Sequence, residues 1–442
     1  MSKMLAGAAK RCITPNDDML KKFAEQNGPR ESFDGVYDDI FVRVIAVSDG
    51  SRKVLLISAD LMVFPGQEML SRRLEEEFGI EPYGCIFGVT HNHEAPMAGF
   101  KEGDDFNVSP RPATDAQDEY SRFVHEQTIS AVREAIESLV PARMGVNSGQ
   151  SYINCNRDLA TPIGPIQAND WHGPADHELL VIQFEDLNGG IIGMYVNHAT
   201  HSNMACWNLY NGDFKKIQGD FGGGVSRFVE KANKNKFPVL WVMGAAGDQS
   251  PFVRSKLRSV DVDDDGNFSV VESYFTIETV LKQLQYIVCT QGLEVLELSE
   301  KMTEYTDEFS FTAAETWRGT AARKPYRDMK IEPACGERPQ PQPWRFPVVP
   351  HRMRLAVLNG VAYAMMNGEI YSLIGTQIKE ALPVKHTAIV SMAYGMLSYI
   401  PDAKREWVNG FGTVNTIAAS GVDTERAFRE GYAELMEKTG LA

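Results

Sequence analysis

Four of the nine histidines stand in two clusters, each directly after an apolar segment of the chain. The first cluster is His91 and His93, and the second is His198 and His201. Residues two apart on an extended strand point to the same face, so His91 and His93 could be two ligands of one metal. They could equally be one ligand and an adjacent acid/base. For either cluster alone, structural histidines are as good an interpretation.

Three aspartates also stand at the ends of apolar segments: Asp60, Asp220 and Asp248. Imidazole and carboxylate are ligands that Zn²⁺ prefers, and a catalytic zinc site keeps one position open for water. Two histidine clusters with nearby carboxylates therefore favour a zinc site.

A small-residue segment at 244–251, GAAGDQSP, contains Ser250 two residues after Asp248. Ser250 could be a nucleophile, a hydroxyl that positions a ligand, or a turn residue. No GxSxG motif surrounds it, so the sequence favours the turn residue. Arg157 stands in a polar segment, where it could hold an oxyanion or pair with Asp158.

The segment 261–272, DVDDDGNFSVVE, matches the spacing of an EF-hand calcium loop. Its flanks are strand-like rather than helical, however, and Asp-Asp-Gly-Asn between two apolar runs is typical of a hairpin. We predict a hairpin, with calcium binding left open.

Strand-like and helix-like segments alternate along the chain. We predict a strand–turn–strand unit over 40–62, strands at 85–90 and 238–243, and a hairpin over 179–196. Helices are predicted over the following ranges: 67–78, 116–139, 222–234, 273–289 and 424–438. This order predicts an α/β fold, a mixed sheet with flanking helices, forming one catalytic domain over 1–442. A Pro/Arg-rich segment at about 318–351 is expected to form an irregular arm or insertion.

Composition excludes several classes of protein. The 442 residues include 44 Lys+Arg and 59 Asp+Glu, a net charge of −15, which disfavours nucleic acid and anionic membranes as partners. No apolar run approaches the roughly 18 residues of a membrane span, and the N-terminal segment lacks a secretory pattern. Six scattered cysteines indicate free thiols. We therefore expect a cytoplasmic protein with a small-molecule substrate, and the arm could support a homo-oligomer.

With these motifs in order, the chain resembles the catalytic domain of the neutral/alkaline ceramidase family. The similarity runs from GAAKRCITP at 7–15 to about Phe411. The motifs that carry it are SADL at 58–61, THNHEAP at 90–96, NCNR at 154–157, NHATH at 197–201, QGDFG at 218–222, GAAGDQSP at 244–251, NGE at 367–369 and SYIP at 398–401. Each motif is short, but eight in the family's order are specific.

The resemblance implies a zinc-dependent amide hydrolase. It implies four zinc ligands: His91, His201, Glu369 and Tyr399. It also implies that His93 is the acid/base, that Arg157 holds the oxyanion and that Ser250, beside Asp248, is the reactive-site serine. Water activated by zinc is the favoured nucleophile over Ser250. His198 is absent from the family pattern and is expected to support the ligands.

Departures from the family pattern bear on the substrate. Glu94 replaces a small residue beside His93, and Phe411 replaces a tyrosine that contributes an oxyanion hydroxyl. The family's C-terminal immunoglobulin-like domain is expected to be missing. Glu94, Trp207 and Phe411 are predicted to contact substrate, and a sugar- or polyol-like ligand is favoured over membrane ceramide. The alternatives are a true ceramidase, a degenerate binding homologue, or zinc-assisted isomerase or lyase chemistry.

Overall fold

The structure is a computed structural model. It describes residues 2–27, 32–102, 113–162, 166–205, 214–253, 256–321, 348–397, 399–403 and 423–441.

Seven α-helices lie in the described part of the chain. In chain order they are α1 (Asp17–Gln26), α2 (Gln67–Phe78), α3 (Asp115–Glu137), α4 (Asp220–Ala232), α5 (Ile277–Glu300), α6 (Ser372–Ala381) and α7 (Thr424–Thr439). The start of α3 shows why a helix forms there: Thr114 and Gln117 form a reciprocal capping box. Within the described ranges, no helix combines the length and hydropathy that a membrane crossing needs.

The strands of the described residues fall into one large sheet and several smaller ones. In chain order they are β1 (Ser2–Lys3), β2 (Leu5–Cys12), β3 (Gly35–Val36), β4 (Phe41–Ser48), β5 (Lys53–Ala59), β6 (Cys85–Val89), β7 (Val140–Gln150), β8 (Asn154–Leu159), β9 (Ile166–Asp170), β10 (Glu178–Asp186), β11 (Ile191–His198), β12 (Lys216–Ile217), β13 (Val239–Met243), β14 (Gln249–Pro251), β15 (Lys256–Val262), β16 (Phe268–Tyr274), β17 (Tyr305–Thr306), β18 (Glu308–Phe309), β19 (Phe311–Ala321), β20 (Val348–Leu358), β21 (Val361–Met366), β22 (Glu369–Ile370), β23 (His386–Val390) and β24 (Tyr399–Ile400).

The large sheet is mixed and has nine strands. Its order is β13-β11-β10-β7-β2-β4-β5-β6, and β17 pairs with β7 beside this path. The β4–β5 and β10–β11 pairs are antiparallel hairpins, as predicted, whereas β5–β6 and β11–β13 are parallel. Strands β4 and β5 are buried on both faces, which explains their continuous apolar sequence.

The two ends of this sheet pack against each other. Ser58 Oγ on β5 donates to the Trp241 carbonyl on β13 at 2.6 Å. Gly88 on β6 lies so close to β13 that an added Cβ would stand 2.5 Å from Val242 Cγ1. Glycine is therefore needed there for close approach. The packing brings the carboxyl ends of β6, β11 and β13 together.

A four-stranded sheet, in the order β19-β20-β21-β23, lies beside β11 and β13. Asn197 Nδ2 donates to the Ile389 carbonyl on β23 at 2.8 Å, and Ser391 Oγ donates to the Gly244 carbonyl at 2.7 Å. These bonds join β23 and the residues after it to the end of the large sheet, and the Gly247 N–H donates to the Ile370 carbonyl, next to Glu369, at 2.8 Å.

Helices flank both sheets. Helix α3 packs on β2 and β4, α4 and α5 pack on each other and on the large sheet, and α7 packs on β19 and β20. One buried apolar cluster runs through the large sheet and reaches β20 and β23, and a second lies between the four-stranded sheet and α6 and α7. The predicted fold class, a mixed sheet with flanking helices, is confirmed.

The structure refines several predicted boundaries. The ends of the 318–351 segment belong to paired strands, since Arg318 lies opposite His351 in β19 and β20, so these ends are regular rather than irregular. Residues 322–347 lie outside the described part. The 261–272 segment forms the predicted hairpin, β15–β16. Helix α5 begins at Ile277, not 273, because β16 continues to Tyr274. The four cysteines in the described ranges form no disulfide.

Candidate metal centre

His91 follows β6 and occupies an unusual backbone conformation. Its φ is +54°, in the left-handed region that residues other than glycine rarely adopt and that is often found at functional sites. The side chain is fully buried, and its Nδ1 lies 2.9 Å from the Met62 carbonyl oxygen. A carbonyl only accepts, so Nδ1 carries the proton, and the lone pair of neutral His91 is on Nε2.

His201 follows the end of β11, and its ring lies next to that of His91. Its Nδ1 lies 3.0 Å from the Gln249 carbonyl oxygen, so Nδ1 again carries the proton. Burial, together with the nearby Arg157 guanidinium, lowers the pKa of His201 to about 3. His201 is therefore neutral at neutral pH, with its lone pair on Nε2.

Glu369 contributes a carboxylate to the two imidazoles of His91 and His201. It begins β22, which pairs in parallel with β24 so that Glu369 lies opposite Tyr399. Its Oε2 is 3.0 Å from Nε2 of His201 and 3.5 Å from Nε2 of His91.

Three acceptors thus converge without a proton between them. A carboxylate oxygen facing two imidazole lone pairs in a buried site is repulsive unless a cation lies among them. In metal sites the ligating histidine commonly donates its other N–H to a backbone carbonyl, as His91 and His201 do here. His91, His201 and Glu369 therefore fit a divalent cation such as Zn²⁺.

His93 lies beside this cluster. The ligating atoms of His91, His93 and His201 are all within 4.8 Å of one another, and the His93 ring centroid is 4.8 Å from that of His91. Its Nε2 is buried and has no hydrogen-bond partner among the described residues. Burial and the two adjacent imidazoles lower the pKa of His93 well below its usual value. This position suits either a third imidazole ligand or an acid/base next to the metal.

Tyr399 and Arg157 lie against the His201 side of the cluster. The Tyr399 ring stacks on the His201 ring at a centroid distance of 6.3 Å, and the Arg157 guanidinium lies 5.2 Å over the Tyr399 ring. Arg157 is fully buried and donates to the Gly247 carbonyl through Nη2 at 2.6 Å, with Nη2 also 3.3 Å from Nε2 of His201. A fixed positive charge therefore lies at the edge of the cluster.

Asp248 contacts the turn that follows Glu369 rather than the imidazoles. Its carboxylate accepts from the Ser372 backbone N–H at 2.7 Å, the Ser372 hydroxyl at 2.9 Å and Asn156 Nδ2 at 2.7 Å. Ser372 is the first residue of α6, so Asp248 caps this helix. Ser250, two residues on, pairs with Cys155 in the β14–β8 ladder, and its buried Oγ has no hydrogen-bond partner among the described residues.

Comparison with solved structures identifies the architecture. The crystal structure of neutral ceramidase from Pseudomonas aeruginosa matches this chain with a TM-score of 0.72 and 15% identity, covering 100% of this chain and 75% of that one. A ceramidase complexed with C2 matches with a TM-score of 0.69 and 15% identity, covering 98% of this chain and 75% of that one. This chain has the neutral ceramidase fold. No protein-family model and no curated protein matches the sequence.

Within the neutral ceramidase fold, the structure brings most of the predicted site residues together. His91, His93, His201, Glu369 and Tyr399 surround one point, with Arg157 beside them. Their individual roles stay predictions. Two predicted contact residues, Trp207 and Phe411, lie outside the described residues.

Other candidates from the sequence lie apart from the cluster. Asp60 forms a buried pair with Arg43, and Asp220 accepts from the Phe221 N–H at the start of α4. His198 Nδ1 lies 3.0 Å from the Glu178 carbonyl oxygen. The Glu94 carboxyl is fully buried, and burial, followed by the nearby Asp220 carboxylate, raises its pKa well above the usual value.

The sequence patterns did not single out the amide side chains that hydrogen-bond to the backbone around the site. Asn154 Nδ2 donates to the Ala199 carbonyl at 2.6 Å, and Gln249 Nε2 donates to the Pro174 carbonyl at 2.9 Å. The only available signal was an amide side chain within a short polar motif, because the backbone carbonyls that accept these bonds leave no trace in the sequence.

We predict that Gly247→Ala will displace Glu369. An added Cβ would stand 2.4 Å from the Glu369 carbonyl oxygen, which is backbone and cannot move without moving the Glu369 side chain. The expected result is metal affinity reduced by about tenfold or more, measured by competition with a chromogenic chelator. Gly149→Ala is the control, because its Cβ would meet only the Leu298 side chain. Unchanged affinity in the Gly247 variant would contradict the placement of Glu369.

We predict that Asp248 makes stability depend on pH. Burial raises its pKa from 3.8 to about 7, so between these values the folded state binds a proton that the unfolded state releases. The resulting stabilisation is complete below 3.8 and is lost as pH rises to about 7, by at most about 1.4 kcal/mol per pH unit. Urea denaturation of wild type and Asp248→Asn at several pH values measures it. The wild type should lose stability relative to the variant as pH rises, and parallel profiles would refute the assignment.

Proposed function

We propose that the protein is a zinc-dependent hydrolase that cleaves an acyl C–N or C–O bond. One observation carries this proposal: Nε2 of His91, Nε2 of His201 and Oε2 of Glu369 converge as acceptors in a buried site. Both solved structures named above, whose fold this chain shares, are ceramidases, which favours hydrolysis.

Each residue around the cluster has a role that follows from its position. Zn²⁺ held by His91, His201 and Glu369, with Tyr399 as a further ligand, would polarise an acyl carbonyl and lower the pKa of water. His93, kept neutral by burial, can take a proton from the attacking water at Nε2 and return it to the leaving nitrogen or oxygen. The Arg157 guanidinium, 3.3 Å from Nε2 of His201, would stabilise a tetrahedral oxyanion formed beside the metal.

Water is favoured over Ser250 as the nucleophile. A serine nucleophile needs a base within hydrogen-bond distance, and the Asp248 carboxylate is already engaged by Ser372 and Asn156. The buried Ser250 Oγ, without a partner among the described residues, is better suited to bind substrate.

The substrate we propose is polar, sugar- or polyol-like rather than membrane ceramide. Glu94 directly follows His93 in the chain, and both oxygens of its buried carboxyl lack a hydrogen-bond partner in the described part of the protein. A buried carboxyl without partners is unfavourable, and the hydroxyls of a substrate that extends from the cluster as far as Glu94 would satisfy it. The second candidate is a true ceramidase, which the two structural neighbours favour.

The test is hydrolysis by the zinc-loaded wild type and a His93→Asn variant. The panel contains an N-acyl amino sugar, an O-acyl polyol and a short-chain ceramide. We expect turnover of a polar substrate by wild type, and a loss of about 10²–10⁴-fold in kcat with zinc retained in the variant. Faster cleavage of the ceramide would establish the second candidate. Bound zinc without turnover of any acyl compound would contradict the hydrolase proposal and favour a binding homologue.

A further inference from the structure

Trp171 is a large aromatic side chain that the protein leaves in solvent. It is 64% exposed and directly follows β9, between Asp170 and His172 in the chain. Its ring packs on that of Phe252, at 6.3 Å between the centroids. A single exposed apolar residue is common on protein surfaces, so the position of Trp171 relative to the metal centre decides its meaning.

The register of the β14-β8-β9 sheet places Trp171 on the same face as Ser250. Within this sheet, Ser250 lies opposite Cys155, and Asp170 lies opposite Asn156. The residue after Asp170 therefore lies beside Cys155, on the side of β8 away from β14. Ser250 and Trp171 thus flank Cys155 on one face.

The contact between Trp171 and Phe252 supports this placement. The Phe252 N–H donates to the Ile153 carbonyl at 2.8 Å, so the β14–β8 ladder continues one residue beyond Pro251. Phe252 is two residues after Ser250 and so shares its face. Since the Trp171 ring meets the Phe252 ring across β8, it lies on this face as well.

The same face leads to the metal centre. Arg157 is two residues after Cys155 on β8, so its side chain projects from the face that carries Ser250 and Trp171. The bulge in the β8–β9 ladder adds its extra residue to β9, so the alternation along β8 is kept. Neighbouring strands are about 4.8 Å apart and a two-residue step spans roughly 6.6 Å, so the Cα atoms of Arg157 and Trp171 lie about 8 Å apart. Because Nη2 of Arg157 is 3.3 Å from Nε2 of His201, one ligand can contact both the metal centre and the indole.

Ser250 gives an independent indication that a ligand binds on this face. Its side chain is 2% exposed, and its Oγ has no hydrogen-bond partner within the part of the chain that the structure describes. Buried hydroxyl groups are normally hydrogen-bonded, so this hydroxyl is available to a ligand with polar groups of its own.

The chemistry around the indole favours a sugar over a lipid. An indole offers a flat apolar face, which packs against the C–H face of a sugar ring. The carboxylate of Asp170 and the imidazole of His172 stand beside it in the chain as polar partners for hydroxyl groups. An acyl chain needs a continuous apolar surface, which an exposed indole between two polar residues does not provide.

We propose that Trp171 binds a sugar ring of the substrate while the acyl group of that substrate lies at the metal centre. This inference rests on the proposed hydrolase function and makes Trp171 a specificity-determining residue. Packing on the indole is the same in the bound substrate and in the transition state. Its loss should therefore weaken substrate binding without slowing the chemical step.

Two substrates that differ only in the ring test the proposal. N-acetylglucosamine carries an acetamide on a sugar ring, and N-acetylethanolamine carries the same acetamide on an open chain. Trp171→Ala should raise KM for N-acetylglucosamine by about tenfold with kcat unchanged. Both constants for N-acetylethanolamine should stay as in wild type, and Trp171→Phe should restore most of the affinity for the sugar.

Tyr286→Ala is the control, because Tyr286 is an aromatic residue that is 60% exposed on α5. Circular dichroism verifies that each variant is folded. Equal losses for both substrates would show a structural role and overturn the proposal, as would an unchanged KM for the sugar. A KM that rises only for a short-chain ceramide would show that Trp171 contacts a lipid instead.

Calorimetric titration separates this inference from the hydrolase proposal. The zinc-loaded His93→Asn variant should bind N-acetylglucosamine with little turnover, so its affinity with and without Trp171→Ala reports the indole contact alone. Weaker binding in the double variant supports the role of Trp171 even if no acyl compound is hydrolysed. Equal affinity, or no binding of the sugar, would overturn that role, and normal hydrolysis by wild type would then leave the hydrolase proposal standing.

Discussion

Glu369→Gln should abolish tight metal binding while leaving the protein folded. The amide keeps the shape of the side chain but loses the negative charge that faces Nε2 of His91 and His201. We expect zinc affinity to fall by about 100-fold or more, because an anionic ligand is replaced by a weakly coordinating one. Isothermal titration of the metal-free proteins measures the change.

Thermal stability provides a second readout of the same change. A ligand that binds only the folded state raises its stability, so chelation should lower the melting temperature of wild type and have little effect on the Glu369 variant. Glu94→Gln is the matched control, since Glu94 is also a buried carboxyl but lies outside the cluster. Equal zinc affinity in the wild type and the Glu369 variant would show that the metal binds elsewhere.

Arg43→Met should destabilise the protein by about 3–5 kcal/mol, the largest effect on stability that we expect. Arg43 is fully buried and donates through Nη1 to both carboxylate oxygens of Asp60, at 3.0 and 2.9 Å. Its Nε donates to Glu230 Oε1 at 2.8 Å. Methionine fills similar space but leaves two buried carboxylates facing each other with Lys10 as the remaining cation. Urea denaturation at neutral pH measures the loss.

Two further variants separate this effect from a general loss of charge. Lys3→Met removes an exposed pair with Asp307 and should change stability by less than about 1 kcal/mol. Adding Glu230→Gln to the Arg43 variant should restore part of the lost free energy of unfolding, because one of the two buried carboxylates left without Arg43 is then neutral. An Arg43 variant as stable as the Lys3 variant would show that the buried network contributes nothing.

Local sequence signals predicted the elements well. The apolar run of β4 and β5, interrupted by Asp49-Gly50, contains the whole hairpin signal within about twenty residues. Helix α5 shows the limit of such signals, since Gly292 lies inside it although glycine is typical of helix ends. An added Cβ there would stand 2.2 Å from Phe228 Cδ1, so this glycine serves the close packing of α4 on α5.

The site was only partly predictable, because it too depends on contacts between segments that are far apart in the sequence. The two-residue spacing predicted that His91 and His93 share one face of a strand, but β6 ends at Val89 and His91 has a φ of +54°, so a turn rather than a strand brings the two imidazoles together. Their approach to His201 depends on contact between the two ends of the large sheet, which no local pattern encodes. Glu369 and Tyr399 were suggested by the family resemblance alone. Asp60 stood at a strand end like a ligand, yet its partner Arg43 is 17 residues away on the neighbouring strand.

The most direct test of the metal centre is elemental analysis of the purified protein, compared with His91→Ala and Glu369→Ala. We predict close to one zinc per wild-type chain and loss of zinc in both variants, which change residues far apart in sequence but adjacent in the structure. A wild type that contains no metal and takes up none when Zn²⁺ is added would contradict the account.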